Sequence, residues 1–301
     1  MASTHMNPPP FRAEQIGSLL RPAELLQARA DSDAGKLSAA QLEPIEDAAI
    51  KSSVEKLRSL GIKSVTDGEF RRHMFFDGAH DNFDGFVKVD DPPIDIFMAY
   101  VPDVRGFVNS PAKKPAATYV CKGKIKRRGG ESPYVKQFKY VASLLPAEEV
   151  KFAKITVAAP EWYHLRHSSK YAYSHDVYKS DDEYFGDIAI AFQEELQALY
   201  EAGCRSVQFD DPLLAYFADQ GMLKGMKEAG IDPAAELGKY VKLYNDCLAK
   251  RPKDMRIGLH VSHICYLSAY VLAHGKSHPH SQLCRGNVSG PTSCLPFSLR
   301  D

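Results

Sequence analysis

Three short apolar runs in this chain end on side chains that can hold a charge or a metal. Ile62-Lys-Ser-Val-Thr66 runs into Asp67-Gly-Glu69, Arg205-Ser-Val-Gln-Phe209 runs into Asp210-Asp211-Pro212, and Arg256-Ile-Gly-Leu-His260 stops on an imidazole. A carboxylate at a strand end suits an ammonium group, because the ion pair is also a charge-assisted hydrogen bond. Six cysteines, at 121, 204, 247, 265, 284 and 294, follow no disulfide-like spacing. With no secretory signal they read as free thiols of a reducing cytoplasm, better suited to binding a metal than to forming bridges.

The elements needed to place these groups are visible in the pattern. Leu37 to Leu60 carries apolar residues at helical spacing and ends at Gly61; the strand 62–66 follows. Lys154-Ile-Thr-Val-Ala-Ala159 reads as a buried strand stopped by Pro160, and a long helix follows from Asp181 to Ala202, capped by Ser180 or Asp181 and closed by Gly203. After the strand 205–209, Asp232-Pro233 opens a helix to about Lys250, with proline in its first turn, and the strand 256–260 comes next. Helix, then short strand, then polar group at the strand's C-terminal end: this is the rhythm of a parallel β/α protein, which handles ligands at those ends. The rhythm alone leaves open a closed barrel or a doubly wound sheet. The stretch 90–135, with Pro92-Pro93, Pro111 and Pro115, reads as a long excursion containing a hairpin, and its basic patch Lys122 to Arg128 as a solvated turn. Residues 1–10 read as a disordered leader.

At 301 residues, 44% hydrophobic and 25% charged, the chain has enough apolar residues for a large core. Lys+Arg and Asp+Glu are both 38, so no global field draws it to nucleic acid or an acidic membrane. No run approaches the ~18 apolar residues of a membrane span. A cytoplasmic protein acting on small molecules is expected.

Several segments resemble the cobalamin-independent methionine synthase family, and in particular its short stand-alone members. They are Phe11-Arg-Ala-Glu-Gln-Ile-Gly-Ser-Leu-Leu-Arg-Pro22, Thr66-Asp-Gly-Glu-Phe-Arg-Arg72 followed by Phe83-Asp-Gly-Phe86, Gln208-Phe-Asp-Asp-Pro212, and Cys284-Arg-Gly-Asn287. Each is weak alone; their order along the chain carries the resemblance. It implies a (β/α)8 TIM-type barrel in which zinc holds a thiol as thiolate and a methyl group is transferred to it, giving methionine from homocysteine with a methyl-tetrahydrofolate-type donor. It also implies that Ile16, Gly17, Ser18 and Glu69 hold the amino-acid part of the substrate, that Asp210 faces it, and that Glu69 and Asp210 are the catalytic carboxylates. The implied metal ligands are His260 and Cys284. The chemistry agrees: a thiol with a pKa near about 8.5 is mostly protonated at neutral pH, and zinc deprotonates it outright. Without the resemblance, Glu69 or Asp210 would equally read as a helix cap. Trp162, the only tryptophan, either stacks on a flat donor or packs; His164, His167 and His175 read as surface or loop residues; one of Arg71 and Arg72 is a candidate for an anionic ligand end.

The chain departs from the family pattern after His260. Twenty-two residues, 261–282, separate it from Leu283-Cys284-Arg-Gly-Asn287; removing them restores the family's His-x-Cys-Arg-Gly-Asn. Both 261–262 and 288–289 read Val-Ser, and Gln282 ends the first departure, as translated intron would give. The barrel domain is therefore expected over 11–287, with 261–282 an insert and 288–301 a tail outside the family; a spliced transcript that retains the codons for 261–282 would sink the intron reading. His263-Ile-Cys265 offers a competing His-x-Cys pair, two residues apart and so on one face of a strand. The family's last β/α units, with a ligand glutamate and second cysteine, have no counterpart, so the barrel is expected to be incomplete. The alternatives are alkyl transfer to another small thiol, and a non-catalytic chain that self-associates through its open barrel.

Overall fold

The computed structural model describes residues 14–78, 80–109 and 115–261. The leader 1–10, all of the insert 261–282 except Val261 (His263 and Cys265 included), Cys284 and the tail 288–301 lie outside the described residues.

The expected helices form where capping chemistry starts them. Helix α1 (Ala23–Asp33) follows Pro22, and α2 (Ala39–Ser59) begins after Ser38, whose backbone N–H donates to Gln41 Oε1 at 3.0 Å. Between them and the sheet stand a hairpin and two further helices: β1 (Phe83–Asp90), α3 (Pro102–Asn109), β2 (Ala117–Arg127) and α4 (Pro133–Ser143). The strands β1 and β2 pair antiparallel, with Val87 opposite Val120, so the irregular 90–135 stretch does contain half of a hairpin. Its basic patch is not a turn: 122–127 lie within β2, with Lys122, Lys124 and Lys126 exposed and Ile125 buried by alternation.

The second half of the described chain is the parallel sheet: β3 (Ile155–Ala158), α5 (Trp162–Tyr171), α6 (Asp181–Glu201), β4 (Ser206–Asp210), α7 (Gln220–Glu228), α8 (Pro233–Leu248) and β5 (Arg256–His260). Ser180 Oγ caps α6 by accepting from Glu183 N, and Asp232 caps α8 by accepting from Ala234 N at 3.0 Å. The order is β3-β4-β5, all parallel, with Ala158 opposite Asp210 and Asp210 opposite His260. The period of two then sorts the side chains. Ile155, Val157, Val207, Phe209, Ile257 and Leu259 lie on the apolar side, where Phe209 meets Phe192 of α6 and Tyr244 of α8 at ring-centroid distances of 5.8 and 5.5 Å. Thr156, Gln208, Asp210 and His260 share the opposite, polar face.

The segment 62–66 is not a strand. It lies alongside β3, with Lys154 N donating to the Val65 carbonyl at 2.9 Å, and the stretch around Gly17 lies beyond it, with Leu19 N donating to the Gly68 carbonyl at 3.1 Å. The backbone breaks from β geometry because Gly68 and Glu69 both take positive φ, 66° and 59°. Thus three strands and two strand-like segments run side by side; among the described residues the array is open.

Candidate functional site

The polar face of the sheet and the two flanking segments enclose a cleft of about 370 Å³ lined by Ile16, Ser18, Arg21, Glu69, His73, Met74, Phe75, Asp210, Pro212 and His260. Five of the residues singled out from the sequence therefore meet in one place, and a sixth, Gly17, lies against Glu69 and Thr156 beside it. A Cβ built on Gly17 would stand 2.4 Å from Thr156 Cγ2 and 3.1 Å from Glu69 Oε1. Only glycine lets the backbone come this close to the carboxylate.

Glu69 is held in an unusual conformation. A non-glycine residue at φ 59° costs on the order of 1–3 kcal/mol and persists only when its surroundings fix it. Here Asp67 Oδ1 accepts from Glu69 N at 3.1 Å, Thr66 Oγ1 accepts from Gly68 N at 3.0 Å and donates to the Gly17 carbonyl at 2.8 Å, and Arg21 Nη2 donates to the Glu69 and Arg72 carbonyls at 3.0 and 2.9 Å. The Glu69 side chain, 2% exposed, accepts from Thr156 Oγ1 at 2.8 Å through Oε1. Its Oε2 has no partner among the described residues.

Asp210 is built the same way. Lys154, itself buried, donates to Glu14 Oε1 and Gln208 Oε1 at 2.8 Å each. This fixes the Gln208 amide so that Nε2 donates to Asp210 Oδ1 at 2.7 Å. His260 Nδ1 lies 3.1 Å from the same oxygen, as the strand register requires. Oδ2 has no partner among the described residues. Burial pushes both carboxyls above the ordinary range; for Glu69 the nearby Arg72 guanidinium opposes this, and for Asp210 the Gln208 and His260 contacts do. Two largely desolvated carboxyls facing one cleft gain from an arriving cation.

His260 is the one described metal-ligand candidate from the sequence. The Asp210 carboxylate orients its ring through Nδ1 and leaves Nε2 without a partner among the described residues, the arrangement typical of a ligating histidine. The described cysteines, 121, 204 and 247, are buried and none lines the cleft. A catalytic zinc needs three protein ligands. The described residues supply one here, so they do not by themselves make a zinc site.

Other expectations are corrected. Trp162 is 4% exposed and lies behind Phe75 and Phe76, with ring-centroid distances of 5.0 and 4.5 Å; it does not line the cleft. Arg71 pairs with Glu46 and Asp47, and Arg72 is buried, donating to Gln137 Oε1, the Thr156 carbonyl and Thr156 Oγ1. Neither is left for an anion. His164 and His167 are not surface residues but buried parts of α5, while His175 is exposed as expected. Burial pushes the His167 ring down to about 4. The His164 ring lies between Asp181 Oδ1 at 3.0 Å and Tyr240 Oη at 2.9 Å, with Glu236 nearby. His164, Asp181 and Glu236 could hold a metal ion by spacing, but the Lys239 ammonium already bridges Asp181 and Glu236 at 2.6 and 3.0 Å and fills the cation's place.

Sequence reasoning missed Arg21 and Lys154 as site builders. Arg21 lay in plain view in the Ile-Gly-Ser segment, but only the fold brings it to the Glu69 carbonyl.

No family model matches the chain. YxjG of Bacillus subtilis, described as uncharacterized, is 30% identical over 254 residues, covering 84% of this chain and 62% of that protein. A methionine synthase of Saccharolobus islandicus is 27% identical over 199 residues, 66% of this chain and 52% of the enzyme. Among solved structures, a Listeria monocytogenes protein provisionally described as a vitamin-B12 independent methionine synthase superposes with a TM-score of 0.61 at 28% identity, over 84% of this chain and 65% of that one. The chain thus spans less than two thirds of the length of these relatives. In sequence and in fold the chain is thus similar, over part of their length, to proteins described as cobalamin-independent methionine synthases.

Proposed function

We propose that this chain is a methyltransferase that hands a methyl group from a methyl-tetrahydrofolate-type donor to the thiol of homocysteine, on the described part of a TIM-type (β/α)8 barrel domain spanning 11–287. The observation that carries the reading is the pair of buried carboxyls, Glu69 and Asp210, each offering an unpartnered oxygen to one cleft beside His260. The kinship with proteins named methionine synthase supports it.

In this reading the substrate ammonium lies between Glu69 Oε2 and Asp210 Oδ2. The backbone around Ile16, Gly17 and Ser18 receives its carboxylate, because glycine allows close approach there. The apolar side chains of Met74, Phe75 and Pro212 exclude water from the carbon chain. The thiol then points toward His260. Transfer forms the sulfur–carbon bond and breaks the methyl's bond to the donor; the thiol gives up its proton, and the leaving atom of the donor gains one. Zinc, were it bound, would be held by His260 and Cys284 and would supply the charge that keeps the sulfur as thiolate.

The test is methionine formation by the 301-residue chain supplied with zinc, homocysteine and methyl-tetrahydrofolate, with other small thiols in parallel. The expected result is turnover with homocysteine preferred. Preference for another thiol would change the acceptor. No turnover, with homocysteine still bound, would leave a ligand-binding chain without the transfer activity.

A further inference from the structure

The cleft holds one cation whose charge no protein group answers. No carboxylate of the described residues stands within ion-pair distance of the Arg21 guanidinium, whereas Arg29, Arg71, Arg105, Arg127, Arg128, Arg166 and Arg205 all have one. Arg21 is not loose. Its Nη2 is held by the Glu69 and Arg72 carbonyls, so the guanidinium is locked to the same turn that presents the Glu69 carboxyl. Nε is buried without a partner. A buried, unanswered guanidinium edge is costly unless a ligand supplies the acceptor.

The neighbours say which ligand. Arg21 shares the cleft with two carboxyls, and the stretch Gly17–Arg21 brings the backbone to within contact of Glu69 Oε1 at one end and the guanidinium to the Glu69 carbonyl at the other. A fixed cation lining the same cleft as two desolvated carboxyls is the complement of a zwitterion such as an α-amino acid. An uncharged thiol would leave all three protein charges unanswered, and a simple amine would leave Arg21 so.

We infer that Arg21 is a specificity-determining residue that receives the α-carboxylate of the amino-acid substrate and makes the cleft reject amines lacking that group. The inference rests on the proposed amino-acid site and adds to it a side-chain charge. Arg21 serves a second purpose as a brace on the left-handed Glu69 turn, and the test separates the two roles.

Binding of L-homocysteine and of 3-aminopropane-1-thiol, the same molecule without its carboxylate, is measured by calorimetry on the full chain and on Arg21→Gln and Arg21→Lys. The unsubstituted chain is expected to prefer homocysteine. Arg21→Gln weakens homocysteine by roughly tenfold or more beyond any loss the amine suffers from the slackened Glu69 turn, the order of a lost charge-assisted hydrogen bond. Arg21→Lys, which keeps the charge but not the fork, retains part of the preference. Equal weakening of both ligands would show a brace only and overturn the specificity role, as would an unchanged preference in Arg21→Gln. Binding of neither ligand to the unsubstituted, folded chain would overturn the amino-acid site itself, a result distinct from either of these.

Discussion

Replacing Gly17 by alanine tests whether the cleft is as tightly built as its distances say. The added methyl would lie 2.4 Å from Thr156 Cγ2, where carbon atoms normally stand about 3.5–4.0 Å apart, so one partner must move by about 1 Å or more. Thr156 cannot simply turn away. It is 1% exposed, and its hydroxyl both receives Arg72 Nη1 at 3.1 Å and donates to Glu69 Oε1 at 2.8 Å. Overpacking of this kind costs about 1–3 kcal/mol. Moving the Glu69 carboxyl by about 1 Å should weaken an amino-acid ligand by roughly tenfold to a hundredfold. The assay is denaturant unfolding and calorimetric binding of homocysteine for Gly17→Ala, Thr156→Ser and the double variant. Thr156→Ser keeps the hydroxyl and deletes the clashing methyl, so it should restore most of what Gly17→Ala loses. A Gly17→Ala chain as stable and as tight-binding as the original would refute the reasoning, as would a double variant no better than the single one.

Two further outcomes follow from buried charges. Glu161 is fully buried at the end of β3 with no donor on either oxygen, and burial, then Asp211, hold its carboxyl well above the ordinary range; its stabilising share is complete below the unfolded value near about 4.3 and is lost as pH rises toward the folded one. Unfolding free energies between pH 4 and 8 should therefore fall less steeply for Glu161→Gln than for the unsubstituted chain, and parallel curves would contradict this. Burial raises the Asp181 carboxyl, but the His164 ring and the Lys239 ammonium outweigh it and leave it well below the usual range. That stabilisation is present above about pH 4 and lost as pH falls, and Asp181→Asn should cost on the order of 1–3 kcal/mol at pH 7 in thermal or denaturant unfolding.

The sequence made the frame legible where periodicity and caps coincide. Helices 39–59, 181–201 and 233–248 and strands 155–158, 206–210 and 256–260 all lie within one or two residues of where hydrophobic spacing, Ser38, Ser180, Asp232 and Gly203 put them. That Asp210 and His260 close neighbouring strands followed from the pattern, whereas the place of Glu69 beside them was an expectation of the resemblance. Segment 62–66 has strand composition but not strand hydrogen bonding, because the left-handed Gly68-Glu69 pair bends the chain away to aim the carboxyl. His164 and His167 read as loop residues because the segment Trp162–Tyr171 is polar in composition, although the fold buries it from Trp162 to His167. The partners that satisfy His164, Asp181 and Tyr240, lie 17 and 76 positions away in sequence. Lys154 and Arg21 were unreadable for the same reason: each takes its meaning from groups that only the fold brings near.

The central claim is that Glu69 and Asp210 together bind the ammonium of an amino-acid thiol in the cleft beside His260. Calorimetric titration of L-homocysteine into the 301-residue chain, Glu69→Gln and Asp210→Asn tests it most directly. The account predicts one site per chain, weakened roughly tenfold or more by either substitution in a chain that remains folded. Absence of binding, or binding indifferent to both substitutions, would contradict it.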